Sequence, residues 1–147
     1  MPRERVVSVS RVIPAPASDI FAVIDNPAMH PVIDGSGTVR RNRGADTHLT
    51  LGDRFGMHMK QGVPYRIASK VVEYDKDRLI AWAHFGGHRW RYRLEPADGG
   101  TKVTESFDWS TSKFPPFIEL MGYPKRHPAA MEKTLERLAD HLAAHTT

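Results

Sequence analysis

One carboxylate, one phenol and one imidazole are spaced along this chain so that they can share a surface. Glu105 lies in the run TKVTESFDW, Tyr92 and His88 lie in HRWRYRLEP, and Pro96-Ala97-Asp98-Gly99-Gly100 separates the two runs as a longer loop. Antiparallel strands joined there place facing residues on the same side. If Glu95 faces Lys102, then Leu94 faces Val103, Tyr92 faces Glu105, Trp90 faces Phe107 and His88 faces Trp109. That face is apolar except for Glu105, His88 and the Tyr92 hydroxyl. Desolvation favours a neutral carboxyl, and a carboxyl so tuned serves as general acid or base while a phenol polarises a carbonyl oxygen. The catalytic candidates are therefore Glu105, Tyr92 and His88. The same spacing also suits a structural carboxylate paired with an inward Arg or His, or a bulge that turns Glu105 outward. His88 fits the mouth of a cavity or a proton relay to Glu105, and equally a hairpin tip in water.

The elements that must position these groups can be read from alternation and from turn residues. Arg89, Arg91, Arg93, Thr104, Ser106 and Asp108 fall on the opposite face, as expected of a solvated surface. Before them, Gly86-Gly87 suits a hairpin. A two-residue loop there sets Trp82 outside, opposite Arg91, whereas a bulged three-residue loop brings Trp82 and His84 inward; the sequence allows both. Val6 to Ile13 reads as a first strand stopped by Pro14-Ala15-Pro16, followed by a short helix capped by Ser18 and Asp19, with Ile20, Phe21, Val23 and Ile24 as its apolar positions. Ala28 to Gly37 allows a second helical turn and a loop. Further strands are expected at Thr38–Asn42, Asp53–Gln61 and Tyr65–Tyr74, and from Leu79 onward, joined by short turns that favour an antiparallel meander. Pro128 suits the first position of a long helix with Met131, Leu135, Leu138 and Leu142 in one stripe. That stripe needs the inner face of the meander as its partner.

Composition narrows the function classes. The 147 residues suit a single domain spanning 1–147, and the absence of cysteine removes thiol nucleophiles, disulfides and thiolate metal sites. No apolar run approaches the roughly 20 residues of a membrane span, so no membrane insertion and a soluble, cytoplasmic protein are expected. The net charge of +4 comes from dispersed basic residues, with local concentrations only at Arg40-Arg41-Arg43 and in the Arg89/Arg91/Arg93 row. No recognition motif accompanies them, which disfavours nucleic acid as a partner and leaves the arginine row with Trp82 as an alternative docking face. His141 and His145 have the i, i+4 spacing of a metal pair but lack a nearby acidic third ligand, so no metal is assigned. Serine-nucleophile, phosphate-loop and dinucleotide motifs are absent, and no cofactor is expected.

The chain resembles the START and polyketide cyclase/dehydrase superfamily, often called SRPBCC. The resemblance lies in Ile13-Pro14-Ala15-Pro16 leading to Ile20-Phe21 and Asp25, in Gly52-Asp53-Arg54-Phe55, and in Val71-Val72-Glu73-Tyr74 before Leu79-Ile80-Ala81-Trp82. It continues through Trp90-Arg91-Tyr92-Arg93-Leu94-Glu95-Pro96 to Gly99-Gly100-Thr101-Lys102-Val103-Thr104-Glu105. It implies an α+β helix-grip fold: a seven-stranded curved antiparallel sheet wrapped around a long C-terminal helix, with two short helices after the first strand. It also implies a cavity for a small-to-medium hydrophobic ligand, lipid- or polyketide-like, or alternatively a cofactor-independent cyclase or dehydratase. The lining expected on this basis is Phe55, Met57, Met59, Tyr65, Ile67, Trp90, Tyr92, Glu105, Phe107, Met121 and Leu135. His30 and Asp34 fall in the loop expected to flank the entrance, and a homodimer is compatible with this arrangement.

Overall fold

The β-branched opening run forms an edge strand, and each strand of the sheet pairs antiparallel with its neighbours. The computed structural model describes residues 6–26, 29, 39–42, 48–61, 63–83, 88–110 and 123–145, with backbone alone at 39–42, 56–61, 63–68, 123–127 and 144–145. In chain order the elements are β1 (Val6–Ile13), α1 (Ala17–Ile24), β2 (Val39–Asn42), β3 (Arg54–Gln61), β4 (Val63–Asp75), β5 (Leu79–Ala83), β6 (Arg89–Ala97), β7 (Gly100–Asp108) and α2 (Tyr123–His145). They build one seven-stranded sheet in the order β1-β7-β6-β5-β4-β3-β2. The first strand thus pairs with the last, which closes the meander on itself in sequence.

The β6/β7 register is the one that alternation predicts. Glu95 pairs with Lys102, Leu94 with Val103, Tyr92 with Glu105 and Trp90 with Phe107. The connection itself is tighter than the longer loop expected from Pro96 to Gly100. Ala97 pairs with Gly100, so Asp98 and Gly99 alone make the turn, with Gly99 at φ 84°. Gly100 has a separate reason to lack a side chain: a Cβ there would lie 2.1 Å from the carbonyl oxygen of Ile13. On the other side of β6, Trp82 pairs with Trp90 and Ile80 with Tyr92, the register that turns Trp82 inward. A shift in the β4/β5 ladder between Val71 and Glu73 then sends Glu73 to the convex face, opposite Ala81.

Both helices start earlier than turn chemistry suggests. In α1 the cap position is Pro16, whose carbonyl accepts the Asp19 and Ile20 amides at 3.1 and 3.2 Å, with no side-chain cap bond. Ser18 and Asp19 therefore lie inside the first turn, where the Asp19 carboxylate complements the helix dipole. In α2 the helix is already formed at Tyr123 and carries Pro128 inside it. A proline there costs one amide bond near the N-terminus, a loss offset by burial of the stripe that follows. Met131, Leu135, Leu138 and Leu142 are all buried, and Thr134 beside them returns its hydroxyl to the Ala130 carbonyl at 3.0 Å. The helix packs on β1, β7 and α1. The expected second short helix lies outside the described residues.

Candidate functional site

Alternation along β6 and β7 brings a polar pair into an apolar wall. The Tyr92 hydroxyl donates to Glu105 Oε1 at 3.0 Å, and the two residues keep only 5% and 4% of their surfaces exposed. Glu105 faces Tyr92 on one side and Val9 of β1 on the other, and the register of both ladders runs without a shift, so no bulge turns it outward. Rings surround the pair. Trp82 lies 5.7 Å from Tyr92 and 5.5 Å from Phe55, centroid to centroid. Phe107 collects Trp90 at 4.8 Å, His88 at 5.4 Å and Trp109 at 5.8 Å. These are the tilted, edge-on and offset geometries that ring quadrupoles favour.

Members of this wall differ in exposure. Phe107 and Leu135 keep 1% of their surface each, less than Glu105 and Tyr92. Trp90, Phe55 and His88 are half-buried. His88 is not a hairpin tip in bulk water: its ring meets Phe107, and burial pulls its pKa below the ordinary 6.5. Met57 pairs with Ile67 and Met59 with Tyr65 in the β3/β4 ladder, which places these four on adjoining strands of the same sheet. Met121, His30, Asp34, His84 and the Gly86-Gly87 turn lie outside the described residues. His141 is half-buried on α2, and among the described residues no group of three or more His, Cys, Asp or Glu is arranged to hold a metal.

The opposite face is not the freely solvated surface expected. Arg91 grips Glu73 through Nε at 2.9 Å and Nη2 at 2.6 Å, Arg89 reaches the same carboxylate at 2.8 Å, and Arg91 also lies 3.4 Å from Asp108. Asp108 in turn accepts the Ser110 amide and hydroxyl at 3.0 and 2.6 Å. Ser106 and Asp108 are buried beneath this network. The arginine contacts hold the Glu73 carboxyl below its usual range, outweighing its desolvation. Sequence alternation missed Glu73 because nothing in Val71-Val72-Glu73 announces the register shift.

The interaction of another buried carboxylate also escaped the sequence. Asp25 closes α1, and its Oδ1 lies 2.6 Å from Nδ1 of His48, whose side chain is 62% exposed. Burial pushes the Asp25 carboxyl up more strongly than the His48 hydrogen bond pulls it down. The Leu49 amide also bonds the Asp25 carbonyl at 2.7 Å, so the pair fastens the segment entering β3 to the end of α1. It belongs to the end of the fold where α1 meets β6 and α2, away from Phe107 and Trp109.

Comparison with known proteins agrees with this architecture. The family described as "Polyketide cyclase / dehydrase and lipid transport" matches residues 4–143. Uncharacterized protein Rv0088 of Mycobacterium tuberculosis is 39% identical over 143 residues, covering 93% of this chain and 64% of that protein. The chain thus spans less than two thirds of that curated relative. Among solved structures, protein NE0264 of Nitrosomonas europaea superposes with a TM-score of 0.72 at 14% identity, covering 98% of this chain and 97% of that one. The AHSA1-like protein of Aeromonas hydrophila gives 0.65 at 16% identity, covering 95% and 92%. Likeness at such identities concerns the fold, here the helix grip. Among the described residues no helix is long and apolar enough to cross a membrane.

Proposed function

For a chain that belongs to the polyketide cyclase/dehydrase and lipid transport family, we propose binding of a small-to-medium hydrophobic ligand between the curved sheet and α2. The observation that carries this reading is the Tyr92–Glu105 pair set at 3.0 Å within a wall of aromatic rings. A core that needed only to pack would be filled more cheaply by aliphatic side chains, since a buried carboxyl requires compensation. The half-buried rings of Trp90, Phe55 and His88 supply apolar contact, with Met57, Met59, Tyr65, Ile67 and Met121 assigned to the same lining. Apolar burial contributes about 25 cal/mol per Å² before association costs, and Glu105 orients the ligand's polar group.

The test is recovery of a bound ligand by native mass spectrometry from protein purified from its own host. Affinity for that ligand should fall about tenfold in Glu105→Gln, with the circular dichroism spectrum unchanged. Unchanged affinity in a folded variant removes Glu105 from the site. The second reading, a cyclase or dehydratase, is favoured by the phenol held against a carboxylate, the arrangement that general acid/base work on a carbonyl needs. Turnover of an aromatic polyketide or β-hydroxy carbonyl compound, lost in Glu105→Gln, would select it. Absence of turnover with binding retained leaves the binding role.

A further inference from the structure

We propose that two copies of this chain pair through the outer edge of β1, antiparallel about a two-fold axis at Val9, so that two seven-stranded sheets run on into one. This assembly is independent of what the concave face binds.

The two edges of the sheet are built differently. β2 is four residues long, its register with β3 shifts between Val39 and Arg41, and Arg40 and Arg41 load it with charge. Shortness, irregularity and charge are what keep an edge from pairing further. β1 is eight residues long, pairs with β7 from Val6 to Ile13 without a shift, and carries one charged side chain, Arg11. Among the described residues β7 is the only strand hydrogen-bonded to β1, so the second row of backbone donors and acceptors on β1 faces away from the sheet. α2 lies against β1 without burying Val6, Ser8, Ser10, Arg11 or Val12. Val6 and Val12, 38% and 48% exposed, are two of the three large apolar residues exposed among the described ones.

The order of residues along β1 selects a second copy as the occupant. A two-fold axis makes a residue of one copy face its counterpart's partner reciprocally, so a strand that pairs with itself benefits from reading alike in both directions. From Val6 to Val12 the strand reads Val-Val-Ser-Val-Ser-Arg-Val, symmetric about Val9 except at Val7 and Arg11. Centred there, Val6 covers the partner's Val12, and Ser8 meets the partner's Ser10. Ser10 already bonds Thr104 at 2.9 Å and Ser8 bonds Ser106 at 2.7 Å, so a row of hydroxyls crosses the seam from Thr104 and Ser10 to the partner's Ser8 and Ser106. The Arg11 stem lies over the partner's Val7 with its charged head in water. The two Arg11 residues stand about 14 Å apart along the strands, beyond the Debye length at physiological salt. Moving the axis to Ser8 sets Val6 against Ser10, and moving it to Ser10 sets Val12 against Ser8, so either shift loses the valine pair. An unrelated strand has no need of this symmetry.

The test is sedimentation velocity of the full chain as a function of concentration. An interface confined to one edge falls at the small end of specific contacts, so the monomer–dimer midpoint is expected between about 1 and 500 μM. Val6→Lys combined with Val12→Lys sets lysine against lysine twice and should weaken association about tenfold or more. Val6→Glu combined with Val12→Lys sets glutamate against lysine twice and should associate about tenfold more tightly than the double-lysine variant. Both positions are exposed, and unchanged circular dichroism shows that the variants fold. If they do not fold, amide chemical shifts of the wild type on dilution decide: the residues that move should be Val6 to Val12. A wild type that stays monomeric through this range overturns the proposal. So does a dimer that the double lysine leaves intact, or a glutamate–lysine variant no tighter than the double lysine.

Discussion

The two ends of the concave face are built from different materials. Where α1 meets the sheet, the buried cluster is dominated by aliphatic side chains, Ile13, Ile20, Ile24, Leu94, Leu138 and Leu142 among them, and the rings it includes are Phe21, Trp82 and Tyr92. At the other end Phe107, Trp109 and Met131 gather with Trp90. Branched aliphatics interdigitate to full density and leave little surface to spare. Rings meeting edge-on leave faces uncovered, and Trp90 and His88 stay half-buried. One end is packed with aliphatic side chains, and at the other Trp90 and His88 keep part of their surface, which is where the binding proposal would seat a guest.

The sharpest way to break that division is to excavate the aliphatic end. Leu138→Ala should cost about 2–5 kcal/mol in urea denaturation, because a fully buried leucine leaves a cavity. Under conditions where the variant stays folded, affinity for the ligand recovered from the host protein should hold within about twofold. A parallel loss of binding would show that the two ends act as one.

A smaller effect is expected on the convex side. Glu73→Gln strips Arg89 and Arg91 of their shared carboxylate and should cost about 1–3 kcal/mol. Because the arginines hold this carboxyl below 4.5, its contribution is complete above that pH and disappears as pH falls through the folded value. The stability difference between wild type and variant should therefore narrow on acidification, and a constant difference would count against the ion network as its cause.

His88 gives the smallest change and sharpens the comparison at the aromatic end. Burial holds its imidazole below 6.5, so the unfolded chain takes up the proton first and wild-type stability falls as pH drops below 6.5. His88→Phe should flatten that part of the pH profile while preserving a ring against Phe107. An unaltered profile would place the titrating group elsewhere.

Local pattern carried much of this architecture and part of the site. Period-two alternation specified the β6/β7 pairing through Tyr92 and Glu105, because a slip of one residue would have exposed the whole apolar set. The period of Met131, Leu135, Leu138 and Leu142 likewise anticipated the buried side of α2. Pairs made by folding were not legible. Asp25 and His48 lie 23 residues apart with no shared pattern, and Glu73 reaches Arg91 only because its ladder shifts. The orientation of Trp82 depended on one residue more or less in a turn, a difference that composition does not encode. The start of α2 was misjudged because Pro128 is equally a good first residue and a tolerable sixth.

Gly100 carries a consequence out of proportion to its size. With no room beside the Ile13 carbonyl, it lets the β6/β7 turn nest directly under the exit of β1, where Thr101 also ties its hydroxyl to the Ala15 carbonyl at 2.8 Å. Two residues on, the chain becomes α1. The helix that walls off the aliphatic end thus takes its anchorage from a position that tolerates no side chain, and even a methyl group there would have to lever that helix away from its seat.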